Sequence, residues 1–103
     1  MMTLVQQHNL RIAAQARDFI LVVTRTGELK SLRIRDILDI RPTHEIGCSM
    51  VSHLFQTCDG PVEEKTLIQE GASAFWNRCL RLLDAVQRQD GDEINQHFAP
   101  RVH

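Results

Sequence analysis

An α+β fold is predicted: a small, antiparallel and bent β-sheet of about four to five strands with one long C-terminal helix packed on it. Three observations predict it. A β-branched and aromatic run, Phe19 to Val23, is followed by a turn and an alternating segment. A second such run, Cys48 to Thr57, lies between Gly47 and Asp59-Gly60-Pro61, both turn signals. Beyond it, apolar residues from Ile68 to Val86 recur at steps of three and four, the helical period.

The length of 103 residues is near the common single-domain size, so one hydrophobic core is expected. Residues 1–99 are read as a single domain and 100–103 as a frayed tail. With 43% apolar and 24% charged residues the chain departs from the profile of disordered segments. The longest apolar run is Phe19-Ile20-Leu21-Val22-Val23, whereas a membrane helix needs roughly 20 such residues. No membrane span is expected. Arg11, Arg17 and Asp18 interrupt the start of the chain where a secretory signal would be apolar. Three cysteines, Cys48, Cys58 and Cys79, cannot all pair, and a reducing cytoplasm is the compartment read from them.

Residues 3–16 carry helix-favouring Ala and Gln beside a strand-like alternation of Leu10, Ile12 and Ala14, so they fit either element. The Phe19–Val23 run reads as a strand covered on both faces or lying at the middle of a sheet. Thr24-Arg25-Thr26-Gly27 reads as its turn, and Leu32-Arg33-Ile34-Arg35 as a partner strand with one buried and one wet face. Asp36 to Ile40 reads as a third short strand or an edge turn, with Ile37, Leu38 and Ile40 brought inward before Pro42 withholds an N–H from the ladder.

If Cys48 to Thr57 is a strand, Cys48 and Cys58 project to one side and His53 to the other. Thr66-Leu67-Ile68-Gln69 has the form of a capping box that would start the long helix near Thr66. Gly71 in that helix would cost about 1 kcal/mol relative to Ala. The alternative start is Ser73, with residues 62–68 as a strand. Asp90-Gly91 is read as the helix stop. Ile94 and Phe98 then fall on one side of a short helical turn before Pro100.

Chemistry-bearing residues concentrate in residues 44–60. Zinc needs ligands converging at roughly 2.0 to 2.3 Å from one point, usually from close pairs such as C-x2-C. His44, Cys48, His53 and Cys58 contain no such pair and diverge on a strand or on a helix. Small thiols and a satisfied histidine explain them as well. His44-Glu45 begins like H-E-x-x-H, but the fifth position is Cys48 and Gly47 disfavours a helix. Ser52 and His53 are neighbours and cannot serve each other on a strand. Neither a nucleophile elbow nor a phosphate-cradling glycine loop occurs. The expectation is a protein with no enzymatic activity, no catalytic residue, no metal and no cofactor.

Two binding readings remain. The apolar helix stripe is broad, with Phe75 and Trp76 adjacent and Leu80 and Leu83 extending it. A stripe wider than a small sheet covers leaves part for a partner. Phe75, Trp76, Leu80 and Leu83 are therefore expected to bind a protein partner, with the chain itself a homo-oligomer, most simply a homodimer. The helix face or an open sheet edge would supply the surface of a small cytoplasmic interaction or adaptor protein.

The second reading follows from charge. Residues 1–42 carry seven basic and four acidic residues, a net +3, and residues 43–103 carry five and nine, a net −4. Arg25, Lys30, Arg33 and Arg35 cluster about the first hairpin and would form a phosphate-contacting face of a nucleic-acid-binding regulator. Glu28, Asp36 and Asp39 are interleaved with them, and no aromatic alternates with the arginines to stack bases.

Overall fold

The first run of β-formers becomes β1, Phe19–Val23, paired antiparallel with β2, Leu29–Arg33, from Phe19 opposite Arg33 to Val23 opposite Leu29. The structure is a computed structural model that describes residues 19–100. The ambiguous segment 3–16 and residues 101–103 of the expected tail lie outside the described residues. Gly27 takes φ 90° in the connecting turn, a conformation glycine adopts without a Cβ clash. Ile20, Leu21 and Val22 are all buried, so β1 is covered on both faces, as its unbroken apolar run predicts.

The alternation of β2 does not carry the strand on through Ile34. A single 3-10 turn, Ile34–Asp36, follows, with Ile34 buried, and the chain changes direction into β3, Ile37–Pro42. β4, Ser49–Thr57, pairs antiparallel with β3 on one side and with β5, Gly60–Ile68, on the other. The β4–β5 register is unbroken from Ser49 opposite Ile68 to Thr57 opposite Gly60. Gly60, at φ 110°, closes that hairpin where the Asp-Gly-Pro signal lies.

The strands form two sheets rather than the single predicted one: β1-β2, and β3-β4-β5 with β3 at an edge. The 3-10 turn separates them at one end. They touch at the other, where Thr24 bridges Ile68, Arg25 N–H donates to the Leu67 carbonyl at 2.9 Å, and Gln69 N–H donates to the Val23 carbonyl at 2.8 Å. The five described strands fall within the expected number, but the expected single sheet is divided at that turn.

Two helices follow, not one. α1 spans Ala72–Gln87 and α2 spans Gly91–Phe98. The T-x-x-Q pattern at 66–69 is not a capping box. Thr66 lies inside β5, its hydroxyl is taken by His53 and Lys30, and the Gln69 amide donates to the carbonyls of Thr24 and Arg25. Gly71 is instead the N-cap of α1, and residues 62–68 are strand.

Gly91 does not stop the helix; it begins α2. The stop is Gln89, at φ 56°, with Asp90 N–H donating to the Ala85 carbonyl and Gln89 N–H to the Val86 carbonyl, the two bonds of a Schellman motif. Asp90 then caps α2 by accepting from Glu93 N–H. Phe75, Cys79, Leu82 and Ala85 of α1 pack with Ile94 and Phe98 of α2 against Ile20, Val22, Leu32, Val51 and Ile68, forming one core.

Candidate functional site

β3 carries consecutive apolar residues, Ile37 and Leu38, followed by Ile40. A strand cannot turn two consecutive residues to one face. The register shifts between Ile37 and Asp39, so Ile37 and Ile40 both pack on the core while Leu38 is left 55% exposed. This corrects the expectation that all three turn inward.

Above β3 lies α1, whose stripe divides at adjacent residues. Phe75 is fully buried, whereas Trp76, Leu80 and Leu83 are 53%, 47% and 38% exposed. Phe75 thus belongs to the core and presents nothing to a partner. The other three line the side of α1 that faces β3. Two cavities flank Trp76. One, of about 470 Å³, is bounded by Ile37, Leu38, Asp39, Ile40, Ala72 and Ser73. The other, of about 270 Å³, is bounded by Ile34, Ile37, Ile40, Cys79, Leu80 and Leu83.

A cavity on one sheet face meets every second residue of a strand; one bounded by four consecutive residues wraps the strand's edge. Among the described residues no strand pairs with the outer edge of β3. Trp76, Leu38 and that edge therefore form one cleft, apolar on its helix side and bounded on its strand side by backbone groups that no other strand pairs among the described residues.

The basic residues of the first hairpin are drawn to partners within the chain. Arg25 pairs with Glu45, and Lys30 with Glu64. The Arg33 guanidinium lies 5.2 Å from the centre of the Phe19 ring, within cation–π range. Arg35 borders the smaller cavity beside Leu80. The hydrogen bond from Lys30 holds the Glu64 carboxyl below its ordinary range, a mark of an established pair.

His53, from the chemistry-rich stretch, is buried in β4. Its Nε2 lies 2.8 Å from Thr66 Oγ1, and Lys30 Nζ donates to that same oxygen at 3.1 Å. Cys48 is half-buried and Cys58 exposed, just outside the two ends of β4, and Cys79 is buried on α1; all three are free thiols. Among the described residues no three His, Cys, Asp or Glu side chains gather as a metal site would require. No buried side-chain polar atom there lacks a hydrogen-bond partner.

A different polar centre escaped sequence reading. Arg78, on α1 and buried, donates through Nε and Nη2 to both carboxylate oxygens of Glu70 at 3.0 and 2.9 Å. Its Nη1 donates to the carbonyls of His97 and Phe98, and Nη2 also to that of Leu21. One guanidinium thereby satisfies two of the carbonyls left open at the end of α2 and one from β1. The only signal in the sequence is an arginine beside Cys79 on the buried stripe.

No helix among the described residues is long and apolar enough to cross a membrane. Comparisons with protein-family models, with curated proteins and with solved structures found no match, so the geometry alone informs function.

Proposed function

We propose that this chain is a small non-enzymatic interaction protein that binds a protein partner in the cleft between β3 and α1. The observation that carries the reading is the half-exposed Trp76 between two cavities, beside an open strand edge. Tryptophan at the centre of an apolar recess is the residue type that dominates binding energy at protein interfaces. An open edge adds backbone hydrogen bonds through strand addition, with the cavities receiving alternate side chains.

The buried polar groups are saturated by one another, as expected of structural rather than catalytic pairs. The pairing of Arg25 and Lys30 with carboxylates favours this reading over a nucleic-acid-binding regulator. A cytoplasmic setting suits the three free thiols.

The test is a photoactivatable side chain placed at Leu80 and, as control, at Asp92 on α2. A protein adduct at Leu80, absent at Asp92 and lost with Trp76→Glu in a folded protein, is expected. Equal adducts at both positions, or none at Leu80, overturn the reading.

A further inference from the structure

The sequence of β3, Ile37-Leu38-Asp39-Ile40-Arg41-Pro42, is charge-complementary to itself when reversed about Ile40. Building on the cleft reading, we infer that the occupant of the cleft is a second copy of this chain. The two β3 strands pair antiparallel about a twofold axis through Ile40, joining two three-stranded sheets into one.

Symmetry and charge select the register. A twofold axis normal to the sheet preserves its faces, and directly opposite residues of an antiparallel pair share a face. The paired positions must then be of equal parity. Centring the pair on Asp39 sets two carboxylates opposite each other, and centring it on Arg41 sets two guanidinium groups together; like charges directly opposite are destabilising. Centring on Ile40 sets each Asp39 opposite the Arg41 of the other copy. Ile40 meets its own counterpart, and the register break at Leu38 lies beyond these pairs.

Within one chain Arg41 Nε already donates to Asp39 Oδ2, with the Arg41 side chain 78% exposed, so both groups are available to exchange partners. Proline in a strand is tolerated at an edge position, and Pro42 ends β3 without preventing the pairs about Ile40.

The same axis accounts for the helix. α1 lies over β3, and a twofold normal to the sheet keeps both α1 helices on one face, side by side. Trp76, Leu80 and Leu83 line the smaller cavity beside β3 and stay partly exposed, so in this arrangement each stripe meets that of the other copy. One operation covers the free edge and the exposed apolar stripe together, which is the isologous arrangement of a closed dimer.

The experiment is sedimentation of the full chain, wild type and two charge reversals, Asp39→Arg and Arg41→Asp, with circular dichroism to establish that each folds. The wild type is expected to be a dimer at micromolar concentrations. Each reversal opposes like charges twice in the dimer and weakens it by about tenfold or more. Mixing the two reversals sets Arg opposite Asp at every charged pair and restores a dimer, now mixed.

A wild-type monomer overturns the inference, and so does a dimer that neither reversal weakens or a mixture that fails to reassociate. The cleft reading fails separately. A monomer whose Leu80 probe still captures a different protein, or the chain's own residues 1–18, removes the second copy while leaving Trp76 at a binding surface.

Discussion

Thr66 Oγ1 lies 2.8 Å from His53 Nε2 on the neighbouring strand, and the direction of that hydrogen bond follows from what surrounds it. Lys30 Nζ can only donate, so Thr66 accepts from it at 3.1 Å. His53 Nδ1 lies 3.4 Å from the Leu54 carbonyl, which can only accept. Nδ1 therefore carries the proton and Nε2 accepts from the threonine hydroxyl. Thr66→Val keeps the shape of the side chain but leaves the ring nitrogen of a buried histidine unsatisfied. The expected loss is about 1–3 kcal/mol in urea unfolding. In the wild type, the imidazole nitrogen shifts should show the Nδ1–H tautomer.

Lys30 is also the donor that lowers the Glu64 carboxyl below its usual 4.5. A depressed carboxylate contributes stability above its unfolded value and loses it as pH falls through the folded one. The stability difference between wild type and Lys30→Met is thus expected to be constant from neutral pH down to about 4.5 and to shrink below it. Urea unfolding across an acid series measures this; a difference that grows as pH falls would contradict the assigned pair.

Arg78 is the costliest polar side chain to lose. Arg78→Met leaves Glu70 and the carbonyls of Leu21, His97 and Phe98 without their donor, and an uncompensated buried charge costs about 3–5 kcal/mol. Arg78→Lys retains the charge but not the planar fork that reaches both Glu70 oxygens, so it should recover only part of the loss. Parallel urea titrations of the two variants would rank them.

Burial pushes the Cys79 thiol up to about 12, so at neutral pH it is neither ionised nor accessible. Cys58, exposed in the β4–β5 turn, should react first with a thiol reagent. Cys48, half-buried and with Sγ 3.7 Å from Glu45 Oε2, should follow. Cys79 should react only as fast as the core unfolds, which makes its labelling rate a probe of native-state opening. Rapid reaction of all three thiols in the folded protein would be incompatible with this core.

Gln89 holds a left-handed backbone at the end of α1 that glycine adopts without a Cβ penalty. Gln89→Gly is expected to stabilise the protein by about 1 kcal/mol, since the left-handed conformation costs a non-glycine residue roughly that much. A thermal or urea shift toward lower stability would indicate that the Gln89 side chain has a role of its own.

What was legible in the sequence was set by neighbours in the chain. The run from Phe19 to Val23 and the turn glycines specify hairpins locally, and the helical period of Phe75, Cys79 and Leu82 survives in α1. What was not legible depends on distant residues. Thr66 and Gln69 have the spacing of a capping box, but their polar atoms are claimed by His53, Lys30, Thr24 and Arg25. Phe75 and Trp76 look equivalent as neighbours on one stripe. Only the position of β3 and β1 decides that the first is enclosed and the second half-open. The place of β3 at an edge among the described strands is likewise a property of sheet order, which no local pattern encodes.

Arg78 gathers carbonyls from residues 21, 97 and 98 around a single buried cation. During translation every described strand is synthesised before the last two of those carbonyls exist. A nascent chain that stops short of α2 therefore lacks two of that cation's acceptors and the Ile94 and Phe98 side chains of the core. The cage around Arg78 is complete only once residue 98 has been made, and truncation before residue 97 removes two acceptors of a buried cation.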